Sequence, residues 1–173
     1  MLGCLKINTD AAFSDESKQG AMSCIIRDHR GAFYAAQAKW YEKGFDACSM
    51  EAMACKDSLI FAGQLGMQRV TMETDCLQLV QLWNKREDQR SIIDSTLREI
   101  AELSLAFQDF TLSFVSRNCN KVAHTLAKQV SVSDRLETWH VTPACVYDQI
   151  VHLRLRPADN EKQDSHKKSK VAP

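Results

Sequence analysis

The chain has no excess charge of either sign: among its 173 residues, 22 Lys and Arg stand against 22 Asp and Glu. Any nucleic-acid partner therefore has to be held by local patches rather than by the overall field. It has no C-x-x-C pair. The seven cysteines, Cys4, Cys24, Cys48, Cys55, Cys76, Cys119 and Cys145, are odd in number and scattered, several inside apolar patterns, and this implies reduced, buried thiols in a reducing compartment. It also lacks a long apolar run. The segment MLGCLKINTDAAF, with one Lys, matches neither a signal peptide nor a membrane span, so a cytoplasmic or nuclear protein without membrane contact is expected. No internal repeat is present. A hydrophobic share of 45% and a charged share of 25% suit one soluble domain with one core.

Three strand-like runs open the chain, Leu5 to Phe13, Ala21 to Arg27 and Ala32 to Trp40, separated by the polar stretch 14–20 and by the turn formers Asp28-His29-Arg30-Gly31. Connections this short predict an antiparallel meander. From Ser49 to Leu65 the period becomes 3.6, with Ala52, Cys55, Leu59 and Ala62 on one stripe, Asp46 or Ser49 as the cap and Gly66 as the stop. A strand from Arg69 to Asp75 feeds a short helix from Cys76 to Trp83. A loop from Asn84 to Arg90, a helix from Ile92 to Phe107, a strand from Phe110 to Val115 and a last helix from Asn120 to Val130 follow. The expected order is βββαβααβα, an α/β domain over 4–131. Residues 132–156 are apolar enough to pack, partly as helix, and 157–173 form a polar, disordered tail.

Three acids carry the chemistry. Asp10 closes the first strand, where alternation puts it with Lys6 and Asn8 opposite Leu5 and Ile7; alone it reads as a strand-end turn residue. Glu51 starts the inward stripe of the first helix, since Cys55, Leu59, Ala62 and Leu65 follow at helical spacing; an acid there also complements the helix dipole. Asp75 ends the fourth strand, where taken singly it reads first as a helix cap, and Glu73 on the same strand face is a rival ligand. The three converge if strand four lies parallel beside strand one, which a meander followed by a crossover helix permits. Clustered carboxylates repel without a cation, and hard oxygen donors select Mg²⁺ or Mn²⁺.

KINTDAAF (6–13), IIRDHRGAF (25–33), SMEAMACKDSLIFAGQLGMQRVTMETD (49–75) and NKVAHTLAK (120–128) together resemble the RNase H-like superfamily, and more closely the plant reverse-transcriptase-like RNase H domains related to non-LTR retroelements. The resemblance covers roughly residues 5–130 and implies a five-stranded mixed sheet in order 3-2-1-4-5 flanked by helices. It implies a monomeric endoribonuclease that hydrolyses the RNA strand of RNA–DNA hybrids, leaving a 3′-hydroxyl, with two Mg²⁺ or Mn²⁺ ions held by Asp10, Glu51 and Asp75.

Three positions depart from the family pattern. His124 stands where the last-helix motif N-x-x-A-D-x-L-A has its acid, so it joins the catalytic set as a nitrogen ligand or water holder, or else is a surface histidine; weaker Mg²⁺ binding is expected. Ala47, Cys48 and Leu77 occupy places where bacterial members carry Asn and Gln that contact the hybrid, which leaves fewer groups to sense the 2′-hydroxyl. The loop Ser116-Arg117-Asn118-Cys119 replaces a mobile histidine loop. Arg117 is a candidate phosphate clamp or a solvated loop cation, and Asn120 a candidate substrate-binding residue. Lys85, Arg86 and Arg90 read first as a solvated loop, and Trp40, Trp83 and Trp139 as packing residues. Beside the nuclease stand two other expectations: a nucleic-acid- or protein-binding module that does not cut, and an inactive retroelement remnant, since the first strand opens the chain as though cut from a longer polyprotein.

Overall fold

The computed structural model describes residues 5–87 and 90–154. Cys4 and the expected tail 157–173 lie outside the described residues.

The meander forms as the alternation requires: β1 (Leu5–Ser14), β2 (Gln19–Arg27) and β3 (Phe33–Tyr41) pair antiparallel. Between β2 and β3 the Asp28 carboxylate accepts from the amides of Arg30 and Ala32, and Gly31 takes the positive φ that closes the turn. Helix α1 (Ala47–Gln64) crosses over to β4 (Arg69–Thr74), which lies parallel to β1 in the register Asn8↔Glu73. Then come α2 (Leu77–Asn84), α3 (Asp94–Ser104), β5 (Asp109–Phe114) parallel to β4, a 3₁₀ turn (Arg117–Cys119) and α4 (Lys121–Ala127).

The fold is the RNase H-like α/β sandwich, with one correction. The sheet has six strands, in order β5-β4-β1-β2-β3-β6, because β6 (Leu136–Trp139) adds antiparallel to the free edge of β3. Trp139 carries that addition: its ring packs against two small clusters, one around Ile25, Ala36 and Leu126, the other around Ala21, Ala38 and Val130. A second 3₁₀ turn (Ala144–Val146) and α5 (Tyr147–Arg154) follow, and their buried Val146 and Ile150 cover the same side of the sheet as α4.

The main core lies on the opposite side, where α1, α2 and α3 cover Leu5, Ile7, Val70, Met72 and Leu112. Helix α1 is buried almost all round, by the sheet on one side and α3 on the other, and small residues (Ala52, Ala54, Cys55, Ser58, Ala62) let both neighbours approach. Its first turn is fixed twice. Asp46 is the cap, accepting from the Ser49 amide at 2.7 Å. Met50 fills the space above Gly20 and Gly44, where a Cβ would stand 2.7 Å from Met50 atoms in both cases. Glu51 is thereby presented at a defined height above the sheet.

The thiols are more varied than expected: Cys24 and Cys55 are buried, Cys48 and Cys76 half-buried, Cys119 and Cys145 exposed, and all six are free. The last two sit in 3₁₀ turns that leave them exposed. Among the described residues no helix is long and apolar enough to cross a membrane.

Candidate active site

The β1–β4 register carries the site. Two residues beyond the pair Asn8↔Glu73 along each chain stand Asp10 and Asp75, so parallel pairing brings the two acids side by side; Asp75 follows the last residue of β4, whereas Asp10, expected to close β1, lies in mid-strand because the ladder with β2 runs on to Ser14. Glu51 arrives from the first turn of α1. One carboxylate oxygen from each of the three lies within 4.8 Å of the others.

Glu73, the rival, is engaged elsewhere. It accepts from Asn8 Nδ2 at 3.0 Å and pairs with Lys6 Nζ at 2.9 Å, farther along the same sheet face.

Each acid has a specific holder. The Ala11 amide donates to Glu51, and Thr74 Oγ1 reaches Glu51 Oε2 at 3.3 Å. Asn120, at the start of α4 and only 1% exposed, donates from Nδ2 to Asp75 Oδ1 at 2.9 Å and to the Thr9 carbonyl at 2.8 Å. His124 Nδ1 meets Asp10 Oδ2 at 3.0 Å. The height of α4 that allows this contact is set from β2: Ser23, the strand partner of Asp10, donates to the Ala123 carbonyl at 2.5 Å. Arg117 is exposed in the 3₁₀ turn before Asn120. Ala47 and Leu77 are exposed at the starts of α1 and α2, with Cys48 half-buried beside them.

Electrostatically the cluster is under-compensated. Burial, reinforced by the charge of Asp75, pushes Asp10 up to about 6 even though the His124 hydrogen bond pulls the other way. Burial and then the charges of Asp10, Cys76 and Asp75 push Glu51 up to about 9. Acids that retain protons in this way lack a counter-charge, and three hard oxygen donors at this spacing fit a divalent cation.

Beside the triad, Cys48 in the first turn of α1 and Cys76 at the start of α2 are both half-buried and free.

The geometry agrees with the sequence comparisons. The model of the reverse transcriptase-like family matches residues 8–130. The chain belongs to that family. Its fold is similar to RNase H1 from the halophilic archaeon Halobacterium salinarum NRC-1, with a TM-score of 0.67 at 18% identity over 73% of this chain and 96% of that one. It is also similar to the N-terminal RNase H domain of a Mycobacterium tuberculosis protein, with a TM-score of 0.65 at 15% identity over 73% and 91%. A third similar structure is LC11-RNase H1, solved in complex with an RNA/DNA hybrid, with a TM-score of 0.61 at 14% identity over 73% and 95%. No curated protein matches the chain in sequence.

Sequence reasoning brought out the three acids and His124. It missed the anchoring of Asp75 by Asn120, for which the only local signal is an Asn at a helix start, and the holding of Glu51 by Thr74.

Proposed function

We propose that the chain is a divalent-metal-dependent endoribonuclease that hydrolyses the RNA strand of RNA–DNA hybrids. The observation that carries this reading is the convergence of Asp10, Glu51 and Asp75 within 4.8 Å, where the middle of β1, the end of β4 and the first turn of α1 meet. A relative of the same fold was solved with an RNA/DNA hybrid, which supports the choice of substrate class.

Asp10, Glu51 and Asp75 are the residues that would hold the metal, as two Mg²⁺ or Mn²⁺ ions. Bound there, the ions supply an activated water and stabilise charge on the leaving oxygen. The chain's own residues keep the acids in place. Asn120 fixes Asp75 against the β1 backbone, so its role here is to position a ligand. His124 fixes Asp10 by one oxygen, and Thr74 with Ala11 fixes Glu51. Arg117, exposed one short turn away, is the candidate phosphate contact. With Ala47 and Leu77 at the helix starts, the 2′-hydroxyl would be met mainly by backbone groups.

A second reading, a module that binds hybrid without cutting it, is favoured by one observation: His124 supplies no negative charge where it engages Asp10. A labelled RNA–DNA hybrid incubated with the chain and Mn²⁺ separates the two. Cuts confined to the RNA strand support the nuclease; an intact RNA strand in a hybrid that the chain demonstrably binds supports the second reading.

A further inference from the structure

We propose that Asn8 and Glu73 are a register key between β1 and β4: their buried pairing decides which acid of β4 stands beside Asp10. Both are thereby positioning residues for the candidate metal site, an inference that rests on the metal reading above.

The core side of the two strands does not fix the register alone. Leu5 and Ile7 on β1 lie level with Val70 and Met72 on β4, and all four face the main core. Apolar residues at every second position still face that core when one strand slides by two residues, about 6.6 Å at roughly 3.3 Å per residue. On the opposite face such a slide changes the chemistry. Asn8 would come level with Thr71, and Glu73 instead of Asp75 would stand beside Asp10.

The polar pair opposes that slide. Asn8 is 1% exposed and Glu73 9% exposed, so water is a poor substitute partner for either. Asn8 Nδ2 donates to Glu73 Oε2 at 3.0 Å, and Lys6 Nζ pairs with Glu73 Oε1 at 2.9 Å, which gives each carboxylate oxygen its own partner. The Arg27 guanidinium on β2 donates to Asn8 Oδ1 and so fixes which end of the amide faces β4. Sliding β4 would separate a buried carboxylate from the amide that satisfies it, and buried polar pairs of this kind specify register at the expense of stability. The position is also the decisive one. The β1–β4 ladder ends at Asn8↔Glu73, one pleat repeat before Asp10 and Asp75. Glu73 therefore selects Asp75 as the ligand through the same bond that keeps Glu73 itself out of the set.

Three variants of the full chain test this. N8L/E73L replaces both partners by apolar side chains and leaves neither of them orphaned. E73Q removes the charge but keeps an acceptor oxygen for Asn8, and N8S is a milder loss of the donor. Each is followed by urea unfolding, by melting through a Mn²⁺ titration, and by nuclear Overhauser contacts between the β1 and β4 backbones without metal. N8L/E73L is expected to unfold at a urea concentration close to the parent's, while its half-stabilising Mn²⁺ concentration rises at least about tenfold. Its backbone contacts between Ile7 and Met72 should be lost or joined by a second set. N8S should shift the Mn²⁺ midpoint in the same direction, and E73Q should keep the parent's contacts and a midpoint within about twofold of the parent's.

A parent-like Mn²⁺ midpoint in N8L/E73L overturns the proposal, as does a loss in E73Q equal to that in the double variant, which would assign the effect to the charge of Glu73. If N8L/E73L does not fold, an unshifted midpoint in N8S overturns it equally. If the parent itself does not respond to Mn²⁺, the metal reading fails, and the backbone contacts still decide the key: an unchanged set in N8L/E73L or N8S contradicts it, and an altered set supports it.

Discussion

His124 on α4 holds Asp10 on β1 through a 3.0 Å contact between Nδ1 and Oδ2, across a separation of 114 residues. On the last helix, a residue that supplies no negative charge thus grips the first acid.

It follows that H124D should strengthen metal binding. A fourth carboxylate adds negative charge to the donor set, and the expected gain in Mg²⁺ affinity is roughly tenfold. Thermal stability followed through a Mg²⁺ titration reads it, with the metal-free variant melting lower than the parent because another unpaired acid joins the cluster.

The pH dependence of the metal-free chain has a defined sign. The folded chain keeps its proton on Asp10 up to about pH 6 and on Glu51 up to about pH 9, against ordinary values of 3.8 and 4.5. The native state therefore binds more protons than the unfolded one. The stability these two acids contribute is fully present below their ordinary values of 3.8 and 4.5 and is lost as pH rises from there, up to about 6 for Asp10 and about 9 for Glu51. Melting temperature in EDTA should fall over that window, E51Q should remove its upper part, and Mn²⁺, which displaces the protons, should bind more tightly as pH rises.

Asn120 tests the scaffold behind the triad. N120A leaves the Thr9 carbonyl and Asp75 without their shared donor, at an expected cost of about 1–3 kcal/mol in urea unfolding. The Mn²⁺ response should shrink as well, although no carboxylate has been removed.

Gly20 tests the seat of α1. A Cβ there stands 2.6 Å from the Ala12 carbonyl, which is backbone, and 2.7 Å from Met50 Cε, which is flexible. G20A should therefore destabilise by about 1–3 kcal/mol, because the backbone contact is not relieved by a rotamer change. Denaturant unfolding measures this.

Much of the fold was legible because its signals are local. The 3.6 period of α1 and the alternation of β1 to β3 decide element type, and the elements fall within a few residues of their expected bounds. The sixth strand was not legible. Leu136–Trp139 is four residues long, and its pairing is set by the exposed edge of β3 rather than by its own pattern. The same division runs through the site. Glu51 and Asp75 are readable from element ends, while Asp10, expected at a strand end, lies inside a β1 that the ladder with β2 extends to Ser14; Glu73 shares a strand face with Asp75, and only the register against Asn8 and Lys6 removes it from the set.

The most direct measurement is cleavage of an RNA–DNA hybrid, labelled on its RNA strand, by the full chain and by D10N in Mn²⁺. Metal-dependent cutting of the RNA by the parent chain, with the rate falling at least about a hundredfold in D10N, is the predicted result. Equal cutting by the two proteins, or cutting that persists in EDTA, would contradict a metal site built on Asp10, Glu51 and Asp75.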